Sequence, residues 1–279
     1  MTELSGGVLL ALFALAVGCG GDGRAAAPAE GVPVPGASAA PPPAAERLTV
    51  RVVARHPHDA TAFTQGLLWH GGKLYESTGL YGRSSLRRVD LASGRVEERV
   101  DLPASLFGEG LALAGDRLVQ LTWKEGRALF WSPATLAPLG ERSYSGDGWG
   151  LASDGRRLVQ SDGSSHLTYR DPQSFVPTGT LAVTDHGQPV ALLNELEVVD
   201  GAIYANLWTT DEIVRIDPAN GRVTARIDAG PLHEEVAQQG VSEDAVLNGI
   251  AWRPETATFL LTGKLWPTLF EVQLVPYGS

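Results

Sequence analysis

The chain has 279 residues, 43% of them hydrophobic and 19% charged, and it carries 33 Gly, 18 Pro and a formal net charge of −10. This acidic balance argues against a nucleic-acid partner, which needs a basic surface, and against electrostatic docking on anionic lipid. The single cysteine excludes an intramolecular disulfide and a zinc site built from several thiolates, while the Gly and Pro content favours short strands joined by tight turns over long helices.

The N-terminus is predicted to be a signal peptide with a lipobox over residues 1–19. Residues 8–17 are ten apolar residues in a row, which is too short for a membrane span but typical of a signal-peptide core. Small residues then lead to Cys19, as in a bacterial lipobox, although Ala16 stands where Leu is usual. We expect an exported protein, either periplasmic or anchored to the membrane only through a lipid on Cys19. A plain secretory signal with an incidental cysteine is the alternative.

Residues 20–46 are predicted to form a disordered tether, and residues 47–279 the folded catalytic domain. The 23 residues from 24 to 46 include 9 Ala and 6 Pro. Such a composition gives an extended, semi-rigid spacer that has no core to bury. It suits a tether between an anchored cysteine and a folded body.

An internal repeat organises the folded body. Five short segments share a signature and start 40 to 54 residues apart: Gln65-Gly66-Leu67, Glu109-Gly110-Leu111, Trp149-Gly150-Leu151, Asn194-Glu195-Leu196 and Asn248-Gly249-Ile250. A second apolar element follows each of them, after turns rich in Gly and Asp: Leu74–Thr78, Leu118–Thr122, Leu158–Ser161, Ile203–Asn206 and Phe259–Thr262. A third strand is predicted next, as at Ser85–Val89 and Glu212–Ile216, and then a turn and a fourth strand.

Four short strands in a unit of roughly 40 to 50 residues are typical of a β-propeller blade. The body therefore predicts an all-β fold, a five-bladed β-propeller. Its fifth unit ends after three strands, so we expect an N-terminal strand at Leu48–Val53 to complete the last blade and close the ring. A β-sandwich is the alternative fold, but it does not predict such even spacing.

The repeat also predicts a site, because the innermost strands of a propeller surround one channel. The first residues of the five signatures would form one ring there: Gln65, Glu109, Trp149, Asn194 and Asn248. The ends of the second strands would add another: Thr78, Trp123, Asp162, Trp208, Lys264 and Trp266. Indoles around a pocket give an amphipathic wall for a small polar or cationic group.

These residues also have structural interpretations that involve no chemistry. Glu109 could be a solvated turn carboxylate, and Asn194 and Asn248 could cap turns. His56 and His58 could form a metal pair, but they precede the first unit, and we predict no ligation by them. The serine pairs lack a neighbouring His or acid, which argues against a serine nucleophile.

Several long motifs resemble the plant and bacterial type of glutaminyl cyclase, the glutaminyl-peptide cyclotransferases. They occur in order over nearly the whole body: Phe63–Leu67, Gly79–Arg87, Phe107–Leu111, Asn194–Glu197, Leu247–Trp252 and Thr262–Pro267. The resemblance implies a five-bladed propeller that converts an N-terminal glutamine of a peptide to pyroglutamate and releases ammonia. It implies no metal or other cofactor, and peptides or proteins with N-terminal Gln as the substrates. We expect the protein to be a monomer.

The resemblance also assigns roles to individual residues. It makes Glu109 the catalytic carboxylate, with Gln65, Asn194 and Lys264 as polar site residues. The aromatic pocket would consist of Phe63, Phe107, Trp123, Trp149 and Trp208, and Asn248 and Trp266 are predicted as further substrate-binding residues on their ring positions. One carboxylate can take a proton from the attacking α-amine and return it to the leaving ammonia, and partial desolvation beside Phe107 would raise its pKa.

Two other functions are consistent with the same residues. Glu109, Asn194 and Asn248 could hold a hard divalent cation, as in lactonase-type propellers. Lys264 and the indoles argue against this alternative, because a lysine beside a metal ion is electrostatically unfavourable. The body could also be a non-catalytic propeller that binds peptides without releasing ammonia.

Overall fold

The computed structural model describes residues 43–242 and 244–278. The predictions for residues 1–19, and for the tether up to residue 42, lie outside the described residues. Residues 43–45 have no regular structure, and the first strand begins at Glu46, one residue before the predicted start of the body. No helix in the described ranges is long and apolar enough to cross a membrane.

The regular secondary structure of the described chain is almost entirely β-strand, as the sequence predicts. In chain order, the strands up to the middle of the body are β1 (Glu46–Pro57), β2 (Thr64–His70), β3 (Lys73–Thr78), β4 (Ser85–Val89), β5 (Val96–Asp101), β6 (Gly108–Ala114), β7 (Arg117–Thr122), β8 (Arg127–Trp131) and β9 (Pro138–Ser143). The next are β10 (Leu151–Ser153), β11 (Leu158–Gln160), β12 (His166–Arg170), β13 (Pro177–Ala182), β14 (Thr184–Asp185) and β15 (Gln188–Pro189). The last are β16 (Leu193–Val199), β17 (Ala202–Leu207), β18 (Glu212–Ile216), β19 (Val223–Asp228), β20 (Leu247–Arg253), β21 (Thr258–Gly263) and β22 (Thr268–Pro276).

The strands pair mainly in groups of four consecutive, antiparallel members. Strands β2–β5, β6–β9 and β10–β13 form three separate four-stranded sheets, and β14 and β15 form a small hairpin. An eight-stranded sheet has the order β16-β17-β18-β19-β1-β22-β21-β20. Within it β1 pairs antiparallel with β22 over most of its length, and its first four residues pair in parallel with β19. The N-terminal strand therefore lies beside the last strand of the chain.

The first strands of the groups lie next to one another around the middle of the fold. Strand β2 contacts β6 and β20, β6 contacts β10, and β16 contacts both β10 and β20. The third residue of every repeated signature is buried in this inner layer: Leu67, Leu111, Leu151, Leu196 and Ile250. Five apolar side chains at equivalent positions thus hold the inner strands together by hydrophobic burial.

One helix, α1 (Gly230–Ala237), was not predicted by the sequence reasoning. It lies between β19 and β20, and it explains why the last two signatures are 54 residues apart. Pro231 occupies its first turn, where a missing N–H costs nothing. Leu232 and Val236, one turn apart, bury their side chains in the same hydrophobic cluster as Trp266. The helix is therefore held by packing on the core.

Candidate active site

The repeated signature marks an irregularity in the strands that hold it. The register of pairing shifts between Thr64 and Gly66 in β2, and equivalent shifts occur in three other inner strands, at 108–111, 193–196 and 247–250. A bulge redirects the side chain at the extra residue. The residues at these shifts include Gln65, Glu109, Asn194 and Asn248. The irregular backbone therefore explains why polar side chains occur here within strands that are otherwise apolar.

A cavity of about 190 Å³ lies at this end of the inner strands. Its lining consists of nine residues, all of them predicted from the sequence: Phe63, Gln65, Phe107, Glu109, Trp123, Trp149, Asn194, Trp208 and Lys264. Five come from aromatic positions, two are amides, one is a carboxylate and one is an amine. The cavity therefore combines an apolar wall with a small number of convergent polar groups, which is the usual composition of a small-molecule site.

Glu109 is the carboxylate of this cavity. Its side chain is almost fully buried, and its Oε1 accepts a hydrogen bond of 3.0 Å from Nε2 of Gln65. Burial raises the pKa of Glu109 well above its ordinary value, Lys264 opposes the shift, and Glu125 and Asp147 add to it. A carboxyl group with a raised pKa can accept and return a proton near neutral pH.

Lys264 is the cation of the cavity and is also buried. Its Nζ lies 4.7 Å from the centroid of the Phe63 ring, in a cation–π contact. Burial lowers the pKa of Lys264 to about 8, and the attraction of Glu109 works in the opposite direction. No hydrogen bond or ion pair joins its amine to any residue in the described part of the chain. Its protons are therefore available to a ligand.

Asn248 does not line the cavity, contrary to its prediction as a substrate-binding residue. Its side chain is fully buried, and its Nδ2 donates to the backbone oxygen of Thr64 at 2.9 Å and to Oε1 of Gln65 at 3.2 Å. This contact occupies the oxygen of the Gln65 amide and turns its nitrogen towards Glu109. Asn248 thus orients Gln65. It has the position in the repeat that was predicted, but it contacts a cavity residue instead of lining the cavity.

Trp266 is likewise absent from the cavity, although it was predicted as a substrate-binding residue. Its indole is completely buried in the core beside Phe270, and its Nε1 donates to the backbone oxygen of Ala245 at 3.1 Å. Two other second-ring positions also point elsewhere. Thr78 exchanges a hydrogen bond with Ser85, and Asp162 accepts one from the backbone of Ser164.

Besides the Lys264 amine, two fully buried polar atoms of the cavity residues have no partner in the described part of the chain. Oδ1 of Asn194 and Nε1 of Trp149 are both buried, and neither makes a hydrogen bond within the described residues. A buried polar atom without a partner costs free energy, so such atoms commonly await a ligand. Trp149 also packs edge to face on Trp208, with ring centroids 5.3 Å apart. The two perpendicular indoles form part of the aromatic wall, to which Trp149 adds one free donor and Asn194 one free acceptor.

Tyr81 extends the aromatic wall, and Glu125 holds its hydroxyl; neither was predicted as a site residue. The Tyr81 ring packs on Phe107 at 5.4 Å, and its hydroxyl donates to Glu125 Oε1 at 2.8 Å. Glu125 Oε2 in turn accepts from the backbone N–H of Phe107 at 3.3 Å. Tyr81 lies inside one of the family-like motifs, so only its tertiary contact with Phe107 was missing from the sequence reasoning.

Glu195 replaces the glycine of the signature in the fourth unit, and its side chain bonds to two other inner strands. It is fully buried, and its two oxygens accept from the backbone N–H groups of Leu67 at 3.1 Å and Ile250 at 2.7 Å. Burial raises the pKa of Glu195 well above its ordinary value, while these two bonds oppose the shift. Glu195 therefore ties three inner strands together directly below the cavity.

Three of the signature glycines, Gly66, Gly110 and Gly150, allow the inner strands to touch. A Cβ atom would lie 2.6 Å from the backbone nitrogen of Leu111 at Gly66, 2.4 Å from that of Leu151 at Gly110, and 1.9 Å from the backbone oxygen of Asn194 at Gly150. Each of these contacts is with backbone of the next inner strand. Only glycine permits such an approach without moving a strand.

We expect Gly150→Ala to lower the free energy of unfolding by about 3 kcal/mol, the upper end of the usual cost of overpacking. For a domain of this size this is a fall in Tm of roughly 6 to 12 °C. Thermal unfolding measures it, and activity should fall too, because the clash is with Asn194. Gly179→Ala is the matched control, since its nearest neighbour would be 3.9 Å from the new methyl group. Equal Tm values for the two variants would contradict the close approach.

Comparisons with known proteins agree with the resemblance seen in the motifs. The model of the family described as "Glutamine cyclotransferase" matches residues 26–274. A glutaminyl-peptide cyclotransferase of Arabidopsis thaliana is 42% identical over 227 residues, which are 81% of this chain and 71% of that protein. The crystal structure of the Myxococcus xanthus glutaminyl cyclase has a TM-score of 0.79 and 43% identity, and the match covers 83% of this chain and 99% of that one.

Proposed function

Because the chain belongs to the glutamine cyclotransferase family, we propose that its cavity binds the N-terminal glutamine of a peptide and that Glu109 transfers the protons of its cyclisation. The activity is that of a glutaminyl-peptide cyclotransferase: an N-terminal glutamine becomes pyroglutamate and ammonia is released. The single observation that supports the assignment of the site is the convergence of a buried carboxylate, a buried amine and two amides within one aromatic cavity.

The reaction needs a folded-back substrate, since the α-amine must attack the side-chain amide carbon of the same residue. In the proposed complex the aromatic walls hold that conformer, so much of the rate gain comes from orientation. The α-nitrogen forms a bond to the amide carbon, and the C=O electrons move to oxygen. Glu109 takes a proton from the attacking nitrogen. The electrons on oxygen then re-form the C=O bond, the C–N bond to the former amide nitrogen breaks, and Glu109 returns the proton to that nitrogen, so that ammonia leaves.

The remaining polar groups have complementary roles in this proposal. The protonated amine of Lys264 donates to the oxygen that becomes negative in the tetrahedral intermediate. Asn194 Oδ1 is an acceptor for N–H groups of the substrate, and Trp149 Nε1 is a donor. Gln65 holds the Glu109 carboxylate in place through the 3.0 Å hydrogen bond.

We propose that the reaction requires no metal ion. Within the described ranges there is no group of three or more His, Cys, Asp or Glu side chains suited to a metal ion. The donor set of the cavity supports the same conclusion, because Lys264 would repel a cation held by Glu109 and Asn194.

One assay tests the function and separates it from its alternatives. The purified protein is incubated with a short peptide that begins with Gln, with and without EDTA, and the peptide mass is followed. We expect a loss of about 17 Da, the mass of ammonia, at a rate that EDTA leaves unchanged. Loss of activity with EDTA would favour a metal-dependent, lactonase-type site, and peptide binding without a mass change would favour a non-catalytic propeller.

We propose that the four-stranded groups are the blades of a five-bladed propeller and that β1 completes the last blade. The cyclic contacts of the five inner strands and the pairing of β1 with β22 support this proposal. A crystal structure of the folded body would test the blade count.

We further propose that the protein is a monomer, which light scattering would test. We also propose that it acts after export and is anchored to the membrane through a lipid on Cys19. A Cys19→Ala variant that stays in the membrane fraction would argue against this anchor.

A further inference from the structure

A buried ionic cluster connects two parts of the cavity without lining it. We define the Glu76 cluster as Glu76, His58, Arg87, Asp59 and Thr64. Glu76 is completely buried at its centre: Oε1 accepts from Thr64 Oγ1 at 2.6 Å and from His58 Nε2 at 3.1 Å, and Oε2 accepts from Arg87 at 2.5 Å. Arg87 also donates to Asp59 at 2.7 Å. The cluster lies outside all the functions assigned above.

His58 carries the cluster to the turn that holds Lys264. Its Nδ1 donates to the backbone oxygen of Trp266 at 2.6 Å, and its backbone N–H donates to that of Pro267 at 2.9 Å. The backbone N–H of Leu265 donates to Ala62, four residues after His58. Both imidazole nitrogens therefore face acceptors, so the ring is a doubly protonated cation that bridges Glu76 and the turn.

Thr64 carries the cluster to the other side of the cavity. It lies in β2 between Phe63, whose ring contacts the Lys264 amine, and Gln65, which donates to Glu109. The Glu76 carboxylate thus fixes strand β2, which bears Gln65. Through His58 it also fixes the turn that bears Lys264. The formal charges of the cluster balance, with Glu76 and Asp59 against His58 and Arg87.

Resting on the proposed function, we propose that Glu76 and His58 are positioning residues, which set the place of the Lys264 amine relative to Glu109. A buried ionic cluster is a weak source of net stability, because desolvation offsets the attraction of its charges. The proposed effect of the cluster is on geometry, because its hydrogen bonds hold the turn after Lys264 in one position. A displacement of about 1 Å at a reacting group can cost roughly 100-fold in rate.

A double-mutant cycle on kcat tests the proposal. We expect Glu76→Gln to lower kcat about 10-fold or more when Lys264 is present, and less than about 3-fold in a Lys264→Met background, because the cluster acts through that amine. KM should change much less than kcat. An equal fold-loss in both backgrounds would overturn the proposal, since a general loss of structure is indifferent to Lys264. A Glu76→Gln variant with wild-type kcat would overturn it as well.

A second cluster, also built from a glutamate, a histidine, an arginine and threonine, is the matched control. Glu271 is buried and accepts from His56 at 3.2 Å, from Arg253 at 3.1 Å and from Thr258 at 2.7 Å, but contacts no cavity residue. Glu271→Gln should leave kcat unchanged even if it lowers Tm. A similar loss of kcat in Glu271→Gln and Glu76→Gln would overturn the proposal.

Two further variants keep the proposal testable and separate it from the proposed function. If Glu76→Gln does not fold, His58→Gln replaces it in the cycle, because Gln reaches Glu76 but loses the bond to Trp266, and the same outcomes apply. Lys264→Met alone tests the proposed function: full activity in this variant would remove the role of Lys264 itself. A large loss in Lys264→Met with an additive loss in Glu76→Gln would reject only the positioning role.

Discussion

Glu109→Gln is expected to lower kcat about 1000-fold while the protein remains folded. General acid–base catalysis by one positioned group contributes roughly 100- to 10,000-fold, and Glu109 is proposed to act twice in each turnover. The amide of the variant keeps an oxygen for the Gln65 hydrogen bond, so the geometry of the cavity should persist. Release of ammonia from a Gln peptide under saturating substrate measures the effect. A kcat within about 3-fold of the wild type would remove Glu109 from the mechanism.

The pH dependence of this variant follows from the raised pKa of Glu109. The carboxylate is the base, so wild-type kcat should fall as the pH is lowered through this pKa, and Glu109→Gln should lack that fall.

The free energy of unfolding should respond to pH in the opposite direction to kcat. Above the ordinary pKa of glutamic acid the native state retains a proton that the unfolded chain has lost, so wild-type stability decreases as pH rises towards the raised pKa. Glu109→Gln should lack this decrease, which thermal melts at several pH values would detect.

Glu197→Gln is the matched control for the loss of activity. Glu197 lies three residues after Asn194 in β16, and burial raises its pKa to about 7. Among the residues that the structure describes, only the backbone N–H groups of Val198 and Trp252 donate to it. It does not line the cavity. Full activity in Glu197→Gln beside the large loss in Glu109→Gln would show that a carboxylate with a raised pKa is not sufficient in itself.

The site was largely predictable because its residues occupy equivalent positions of a repeat. Gln65 and Glu109 each precede a glycine that the packing of neighbouring inner strands requires, and Asn194 has the equivalent position before Glu195. Sequence spacing and backbone geometry therefore carry the same information. The third strands at Ser85–Val89 and Glu212–Ile216 were predicted to the residue for a similar reason, since turns of Gly, Asp and Asn bound them on one side.

What the sequence could not supply was the direction of side chains beyond the repeat. Trp266 follows Leu265, whose backbone has φ = 61°, a conformation that a periodic pattern does not reveal, and its indole lies in the core instead of the cavity. Asn248 obeys the repeat but bonds to Gln65. Helix α1 is a single insertion of about two turns, with no periodicity long enough to distinguish it from a loop.

Lys264→Met should lower kcat about 100-fold or more, which is the usual cost of losing a donor to a developing oxyanion. Only the protonated amine brings a positive charge to the developing oxyanion, and burial lowers its pKa to about 8. Wild-type kcat should therefore fall as pH rises through about 8, whereas Lys264→Arg, with lower activity but a permanently charged group, should lose this alkaline limb. The pH profile of kcat measures both effects.

Lys124→Met provides the comparison for a nearby positive charge. The Lys124 amine is 4.1 Å from the ring centroid of Trp123, a wall of the cavity, but its side chain is exposed and contributes no lining. Its removal should change kcat by less than about 3-fold, because water screens an exposed charge. An equal loss of kcat in Lys124→Met and Lys264→Met would mean that kcat depends on the net charge near the cavity and not on a donor inside it. If the alkaline limb persisted in Lys264→Arg, it would belong to another group, and the oxyanion would need a different donor.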